Sequence, residues 1–273
     1  MQYSHRLFVF LVVALLIGGC SASKRATNND ILRVMTFNIH HGEGVDGKVD
    51  IKRVAALIQE SNADVVALQE LDRWVERTDK IDIITMLAEM TGMTYAFGKN
   101  IDYQGGDYGN GLLTRFPILE ERNLHYTMMR EGEQRGLLQL VLDVRGQEMV
   151  VMNTHIDHRE DDSERVMNVA EIREALQRYS PKPTIVCGDF NDLPASRTVA
   201  LMKEDFIDTW EEVGRGDGFS YPTAEPVKRI DYIFIARPHP SAAVKLRPLS
   251  ARVLRSDASD HLPVLVELEL VGN

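Results

Sequence analysis

The sequence predicts an α/β domain in which two mixed β-sheets pack together with helices on the outside. Three observations support this fold class: predicted strands outnumber helices, helices follow strongly apolar strands, and neither an internal repeat nor a second linker divides the chain. A chain of 273 residues is long enough to bury a sizeable core. We therefore expect one domain, over residues 31–273.

The N-terminal region is predicted to be separate from this domain. Residues 7–17 form an apolar run after a short basic start, and two glycines and Cys20 follow. Eleven apolar residues are too few to span a bilayer but fit the core of a signal peptide. The end of this segment resembles the bacterial lipobox, in which the cysteine is lipidated. We expect a lipoprotein signal peptide at 1–19 and a polar tether at 20–30; the alternatives are an uncleaved anchor and an ordinary secretory signal.

The composition is that of a soluble globular protein, with 44% hydrophobic and 26% charged residues. The 31 basic and 41 acidic residues give a formal net charge of −10, which argues against a strong nonspecific grip on nucleic acid. A small phosphate-bearing substrate held through a metal ion remains compatible with this charge. If Cys20 carries lipid, Cys187 has no disulfide partner, and its apolar strand suggests a small buried hydrophobe.

The first half of the domain is predicted to alternate strands with helices. Asp50 is a good N-cap for the first helix, and Gly92 is placed to end the second. The predicted strands are 31–39, 64–69, 93–97 and 111–114, the helices are 50–61 and 79–90, and a Gly- and Tyr-rich loop is expected at 101–110.

The second half is predicted to begin as an antiparallel meander and to contain the longest helix. The predicted strands are 119–126, 136–144, 148–153, 184–187, 207–210, 230–235 and 264–270, the helices are 162–179 and 195–202, and loops are expected at 214–218 and 237–241.

Polar residues follow apolar strands at five places, and a sixth lies inside one. For each alone, a cap or a polar turn is an equally good explanation. The recurrence at separate strand ends favours a site, because buried strands hold such residues rigidly. A carboxylate within the apolar strand 230–235 must also be paired or bound to a cation. These residues are Asn38, Glu70, His155, Asp189 with Asn191, Asp260 with His261, and the internal Asp231.

The residue types favour metal-assisted attack of water on a phosphate ester. Asn and Glu are hard oxygen ligands, which suit Mg²⁺ or Mn²⁺. Zinc at His155 and His158, or at His40 and His41, is the less favoured alternative because no cysteine joins them. The chain lacks both the serine nucleophile elbow and the phosphate-binding Gly-rich loop motif.

A set of short motifs, in order, resembles the endonuclease/exonuclease/phosphatase superfamily of metal-dependent phosphoesterases, over about residues 31–270. The resemblance implies a four-layer α/β/β/α sandwich with the site at one edge, and a phosphodiesterase or phosphomonoesterase activity with Mg²⁺ as cofactor and Mn²⁺ as a possible replacement. The motifs are Thr36–Ile39, Leu68–Glu70, Gly109–Thr114, Asn153–His155, Gly188–Asn191, Arg229–Ile233 and Ser259–His261.

The resemblance also implies roles for individual residues. Glu70 would be the main Mg²⁺ ligand, with Asn38 beside it and Asp260 near the metal. Asp189 would orient and deprotonate the attacking water, although the choice between Asp189 and His261 as the base stays open. The remaining implied roles are donation to phosphoryl oxygens by Asn191, donation to transition-state oxygens by His155, fixing of the His261 tautomer by Asp231, and substrate binding by Asn110.

One departure from the family pattern limits this transfer. Some nuclease members carry an aspartate two residues after the first-strand asparagine, where this chain has His40. We expect a monomer in the bacterial cell envelope, anchored outside the inner membrane through lipid on Cys20. Expected substrates are a lipid head group, an inositol phosphate or a nucleotide. The alternatives are a secreted nuclease and a catalytically silent surface binding module.

Overall fold

A computed structural model describes residues 31–272, which form two six-stranded sheets flanked by helices. The predicted signal peptide, tether and lipidated Cys20 lie outside the described residues. Among the described residues, none of the helices is both long enough and apolar enough to cross a membrane. The strands are β1 Ile31–Asn38, β2 Val65–Arg73, β3 Thr94–Tyr103, β4 Gly106–Thr114, β5 Ile118–His125, β6 Gly136–Val144, β7 Gln147–His155, β8 Thr184–Asp189, β9 Phe206–Asp208, β10 Asp231–Ala236, β11 Val244–Val253 and β12 Val264–Gly272.

Each helix lies, along the chain, between two strands of the same sheet. The Asp50 and Asp82 side chains accept hydrogen bonds from the first-turn backbone of α1 and α2, which fixes where these helices begin. The helices are α1 Ile51–Ser61, α2 Ile83–Thr91, α3 Ser163–Tyr179, α4 Arg197–Asp205 and α5 Thr209–Val213, with short 3-10 turns at His40–Gly42 and Glu76–Thr78.

Each sheet contains one parallel pair among antiparallel neighbours. The first sheet has the order β11-β12-β1-β2-β4-β3 and the second the order β5-β6-β7-β8-β10-β9. Within the first, β1 and β2 are parallel, and within the second, β7 and β8 are parallel. Because α1 and α3 are the crossovers of these pairs, each sheet contains one β-α-β unit.

Three hydrophobic layers make this a four-layer α/β/β/α sandwich, and the predicted fold class is confirmed. Along β2, Val65 and Ala67 belong to the core between the sheets, while Val66 and Leu68 pack in the core that contains α1 and α2. A third core lies between the second sheet and α3 with α4. A strand buried on both faces reads as a nearly continuous apolar run, as the sequence predicts for β2.

Three segments differ from the sequence predictions. The predicted loop 101–110 is the β3–β4 hairpin, which continues both strands to Tyr103 and Gly106. Strand β11 was not predicted; it is an edge strand, where the register shift at Pro248 tolerates the missing N–H. The predicted strand 207–210 ends early, because the Asp208 side chain caps α5.

Candidate active site

The carboxyl ends of the two parallel pairs bring the predicted residues together. Asn38 ends β1, and the neighbouring strand β2 carries Glu70. His155 ends β7 and is in register with Asp189, which ends β8. Asp231 begins the antiparallel β10 directly opposite Asp189. Strand ends far apart in sequence therefore meet at one edge of the sandwich.

A bulge in β2 sets the position of Glu70. The register between β2 and β4 shifts between Leu68 and Leu71, and Glu70 adopts a left-handed φ of 59°. The Asn38 Nδ2 donates to Glu70 Oε1 at 2.9 Å and to Asp189 Oδ2 at 3.1 Å. This amide therefore links a carboxylate of the first sheet to one of the second.

Asp231 and His261 form a buried pair. His261 Nδ1 lies 2.9 Å from Asp231 Oδ2, which also accepts from the Ser220 hydroxyl at 2.6 Å. Burial lowers the pKa of His261, but the Asp231 carboxylate outweighs it and leaves the pKa raised to about 10. Ser259 holds the His261 backbone beside β1, because its Oγ accepts from the His261 backbone N–H and donates to the Asn38 carbonyl. Asp231 therefore orients the imidazole.

Asp189 occupies the centre of the site. It is 1% exposed, and its Oδ2 lies 3.7 Å from His261 Nε2 and 3.6 Å from His155 Nε2. The Asn191 backbone N–H donates to the other carboxylate oxygen at 2.9 Å. Burial, with a further contribution from Asp231, raises the pKa of Asp189. The carboxylate is therefore a stronger base than an ordinary aspartate.

His155 has a different environment from His261. Its Nδ1 lies 2.9 Å from the Arg135 guanidinium, which is also 3.2 Å from His158 Nδ1. Burial, together with the nearby Arg135 charge, lowers the pKa of His155 well below its usual value. His155 is therefore neutral.

The three remaining predicted site residues differ in their access to the cavity. Asn191 lines the cavity, but its amide donates to the Ile156 carbonyl. Asp260 lies at the rim, 3.8 Å from His40 Nδ1. Asn110 is 1% exposed, donates to the Gly136 carbonyl and is not among the cavity-lining residues, so its predicted contact with substrate has no direct path in this structure.

The site opens into a cavity of about 660 Å³. Its walls include three tyrosines and three cationic side chains, of which Lys228 is exposed. Sequence reasoning assigned no role to most of them, because they come from loops and strand edges whose proximity depends on the tertiary fold; only the His155-x-x-His158 spacing gave a signal. The lining residues missed in this way include Arg77, Tyr103, Tyr108, Glu133, His158, Tyr221 and Lys228.

Among residues 31–272, two groups of three His, Asp or Glu side chains have potential ligand atoms within 4.8 Å of one another. The first is His40, His41 and Glu70, and the second is Asp189, Asp231 and His261. In the second group the imidazole is already hydrogen-bonded to Asp231. Glu70, half-buried and facing the cavity, is therefore the better candidate for the centre of a metal site.

Comparison with known proteins identifies the family. The endonuclease/exonuclease/phosphatase family profile matches residues 35–261, a span that contains every strand end described above. The chain belongs to this family. Membership classes it as a hydrolase and confirms the resemblance found in the motifs.

Relatives of this endonuclease/exonuclease/phosphatase protein match nearly its whole length. The uncharacterized protein YbhP of Escherichia coli is 28% identical over 252 residues, which cover 87% of this chain and 96% of the relative. A family structure from Beutenbergia cavernae has a TM-score of 0.72 and 25% identity, covering 89% of this chain and 72% of that one. The mannosyl-6-phosphatase of Bacteroides thetaiotaomicron has a TM-score of 0.70 at 20% identity, covering 87% and 99%, and shows the shared fold.

Proposed function

We propose that the protein is a divalent-metal-dependent phosphoesterase that hydrolyses a small phosphate ester with Mg²⁺ or Mn²⁺. The observation that carries the proposal is the buried Asp189 carboxylate, which lies 3.6 Å from His155 Nε2 and 3.7 Å from His261 Nε2, beside the Asn38–Glu70 pair. A base, two hydrogen-bond donors and a candidate metal ligand thus surround one point at the cavity floor. These are the parts that attack of water on phosphorus requires.

The donor set fits a hard divalent cation. Glu70 would be the main ligand, and Asp260 lies at the rim; the Asn38 amide nitrogen orients Glu70, because the amide oxygen accepts from the His40 backbone N–H. His40 and His41 add nitrogen atoms close to Glu70, which extends the set toward a transition ion such as Mn²⁺. A bound cation would neutralise the phosphoryl oxygens and lower the pKa of the attacking water.

The protein side chains would handle the protons. Asp189 accepts a proton from water while the water oxygen bonds to phosphorus, and the raised pKa of Asp189 strengthens it as the base. His155, neutral and buried, donates a hydrogen bond to a phosphoryl oxygen. As the bond from phosphorus to the leaving-group oxygen breaks, His261 donates to that oxygen, which gains the proton, while Asp231 stabilises the imidazole.

The cavity favours a small ester over a nucleic-acid duplex. Its volume of about 660 Å³ suits a phosphorylated molecule with a modest organic part, which the tyrosines would contact. The formal net charge of −10 opposes nonspecific binding to DNA or RNA. A lipid head group, an inositol phosphate or a nucleotide fits these features, and lipid on Cys20 would place the enzyme at the cell envelope.

The test is hydrolysis of bis-p-nitrophenyl phosphate and p-nitrophenyl phosphate by the full-length chain with Mg²⁺, Mn²⁺ or EDTA. Turnover should require metal and should fall at least about 10³-fold in Asp189→Asn. Glu148→Gln, at the opposite end of the strand that carries His155, is the matched control and should retain activity. Equal turnover in Asp189→Asn and the control would refute the assigned base. Absence of both turnover and metal-induced thermal stabilisation would favour a silent binding module.

A further inference from the structure

Arg135 contacts Nδ1 of His155, whereas Nε2 of the same ring faces Asp189. Arg135 immediately precedes β6 and is 7% exposed. Its Nη1 lies 2.9 Å from His155 Nδ1, and its Nη2 lies 3.2 Å from His158 Nδ1. The Arg135 guanidinium therefore contacts the Nδ1 atom of each of the two imidazoles.

The chemistry of arginine determines the direction of these hydrogen bonds. A guanidinium carries only N–H donors and stays protonated at every pH at which proteins fold. Each Nδ1 must therefore be the acceptor, which places the single proton of each neutral ring on Nε2. The contact assigns the tautomer of His155 without reference to any substrate.

Glu133 holds the guanidinium in this position. Its Oε1 lies 2.8 Å from Arg135 Nη1, so the buried charge has a carboxylate partner. The ion pair fixes the nitrogen that also faces His155. Arg135 is therefore anchored on one side and aimed at the imidazole on the other.

The proton on the far nitrogen of His155 is available to a ligand. His155 Nε2 lies 3.6 Å from Asp189 Oδ2, which is too long for a good hydrogen bond. The ring also lines the cavity. A phosphoryl oxygen in the site would meet an N–H that no protein acceptor fully engages.

We propose that Arg135 is a positioning residue that fixes His155 as the neutral Nε2–H tautomer, so that His155 donates a hydrogen bond to the phosphoryl group. The proposal rests on the proposed phosphoesterase function. It assigns different protonation of Nδ1 to the two imidazoles beside Asp189, because Arg135 donates to Nδ1 of His155 whereas Asp231 accepts from Nδ1 of His261. His155 then stabilises charge as a donor and is not the acid that protonates the leaving group.

Nitrogen NMR of the ¹⁵N-labelled full-length chain tests the tautomer without needing turnover. Long-range ¹H–¹⁵N correlations at neutral pH should show His155 with a bare Nδ1 and a protonated Nε2. In Arg135→Met, the Nδ1–H tautomer should become populated. A doubly protonated ring or a protonated Nδ1 in the unsubstituted protein would overturn the proposal, as would an unchanged tautomer in a folded Arg135→Met variant.

Kinetics separate positioning from a general structural role. Arg135→Met should lower kcat by about 10²-fold with KM within about twofold, because the missing donor acts in the transition state. Arg135→Lys, which keeps one donor, should recover part of the loss. Arg130→Gln, an exposed arginine ahead of the same strand, is the control and should leave kcat unchanged.

Unchanged kcat in folded Arg135→Met would overturn the proposal even if the tautomer shifts. If the unsubstituted chain hydrolyses no phosphate ester yet shows the Nε2–H tautomer, the proposed function fails while the assignment of the tautomer to Arg135 stands.

Discussion

Asn153 is the residue whose loss we expect to damage both the fold and the site. It lies on β7 but donates to the first sheet, to the Leu68 carbonyl at 2.8 Å and the Gly111 carbonyl at 2.7 Å. These two residues are the last pair before the register of β2 shifts at the bulge that carries Glu70. The Asn153 oxygen accepts from Gln69, within the bulge, at 2.7 Å. One side chain thus satisfies the backbone beneath the candidate metal ligand.

The cost of Asn153→Ala follows from the groups left unpaired. Two buried carbonyls lose these amide donors, at about 1–3 kcal/mol each, and the hydrogen bond from Gln69 contributes about 1 kcal/mol more. The side chain is 0% exposed, so water cannot replace these contacts without entering the core. We expect a loss of roughly 3–7 kcal/mol of unfolding free energy, which is a large part of the stability of a typical domain.

Urea unfolding followed by circular dichroism measures this loss, with an unchanged slope against denaturant as evidence that the same surface unfolds. Asn123→Ala is the control; this partly exposed residue donates to one carbonyl, of Lys99, and should cost about 1 kcal/mol or less. A loss below about 1 kcal/mol for Asn153→Ala would refute the reasoning that the inter-sheet amide satisfies otherwise unpaired carbonyls. Asn153→Ala should also weaken the stabilisation by Mg²⁺, because it removes the hydrogen bond that holds Gln69, the residue immediately before Glu70.

Three further predictions concern metal binding, backbone geometry and pH. Glu70→Gln should remove the increase in melting temperature caused by Mg²⁺ or Mn²⁺, and an unchanged increase in a thermal scan would reject Glu70 as a ligand. Gly188→Ala should be strongly destabilised in urea, because its φ of +153° is unfavourable and a new Cβ would lie 2.1 Å from the Thr154 carbonyl oxygen; wild-type stability would contradict this. Burial raises the pKa of Asp82, but hydrogen bonds from Arg73 outweigh it and leave the pKa lowered. This carboxylate therefore stabilises the fold above pH 3.8 and loses that contribution at lower pH, so the stability difference caused by Asp82→Asn should shrink in acid unfolding.

The strand-end positions of the candidate residues could be predicted because each of them follows an apolar run in the sequence. A polar residue that ends a buried parallel strand must lie at the same edge as its neighbour, as His155 and Asp189 do. The fold class followed from similar local patterns, since β2 shows its double burial as an unbroken apolar run. These features depend on the pattern of one strand at a time.

The remaining features depend on contacts that no local pattern encodes. The bulge at Glu70 adjoins the Leu68 and Gly111 carbonyls, which accept hydrogen bonds from Asn153 of the other sheet. Arg135 reaches His155 only because β6 and β7 pair, and Ser220 meets Asp231 through a loop with no regular period. Local propensity gives no signal for these partners. The glycine-rich stretch 101–110 likewise predicts a loop, although pairing between β3 and β4 continues both strands into it.

The Asn38 bridge has a consequence for molecules that are only partly folded. Its two acceptors, Glu70 and Asp189, belong to different sheets, so the reaction centre exists only where the two halves are docked. A chain in which only one sheet has formed would contain either the Asn38–Glu70 pair or Asp189, but not both. Under the proposed function, such partly folded copies would not hydrolyse esters, and specific activity would report the fraction of correctly assembled molecules.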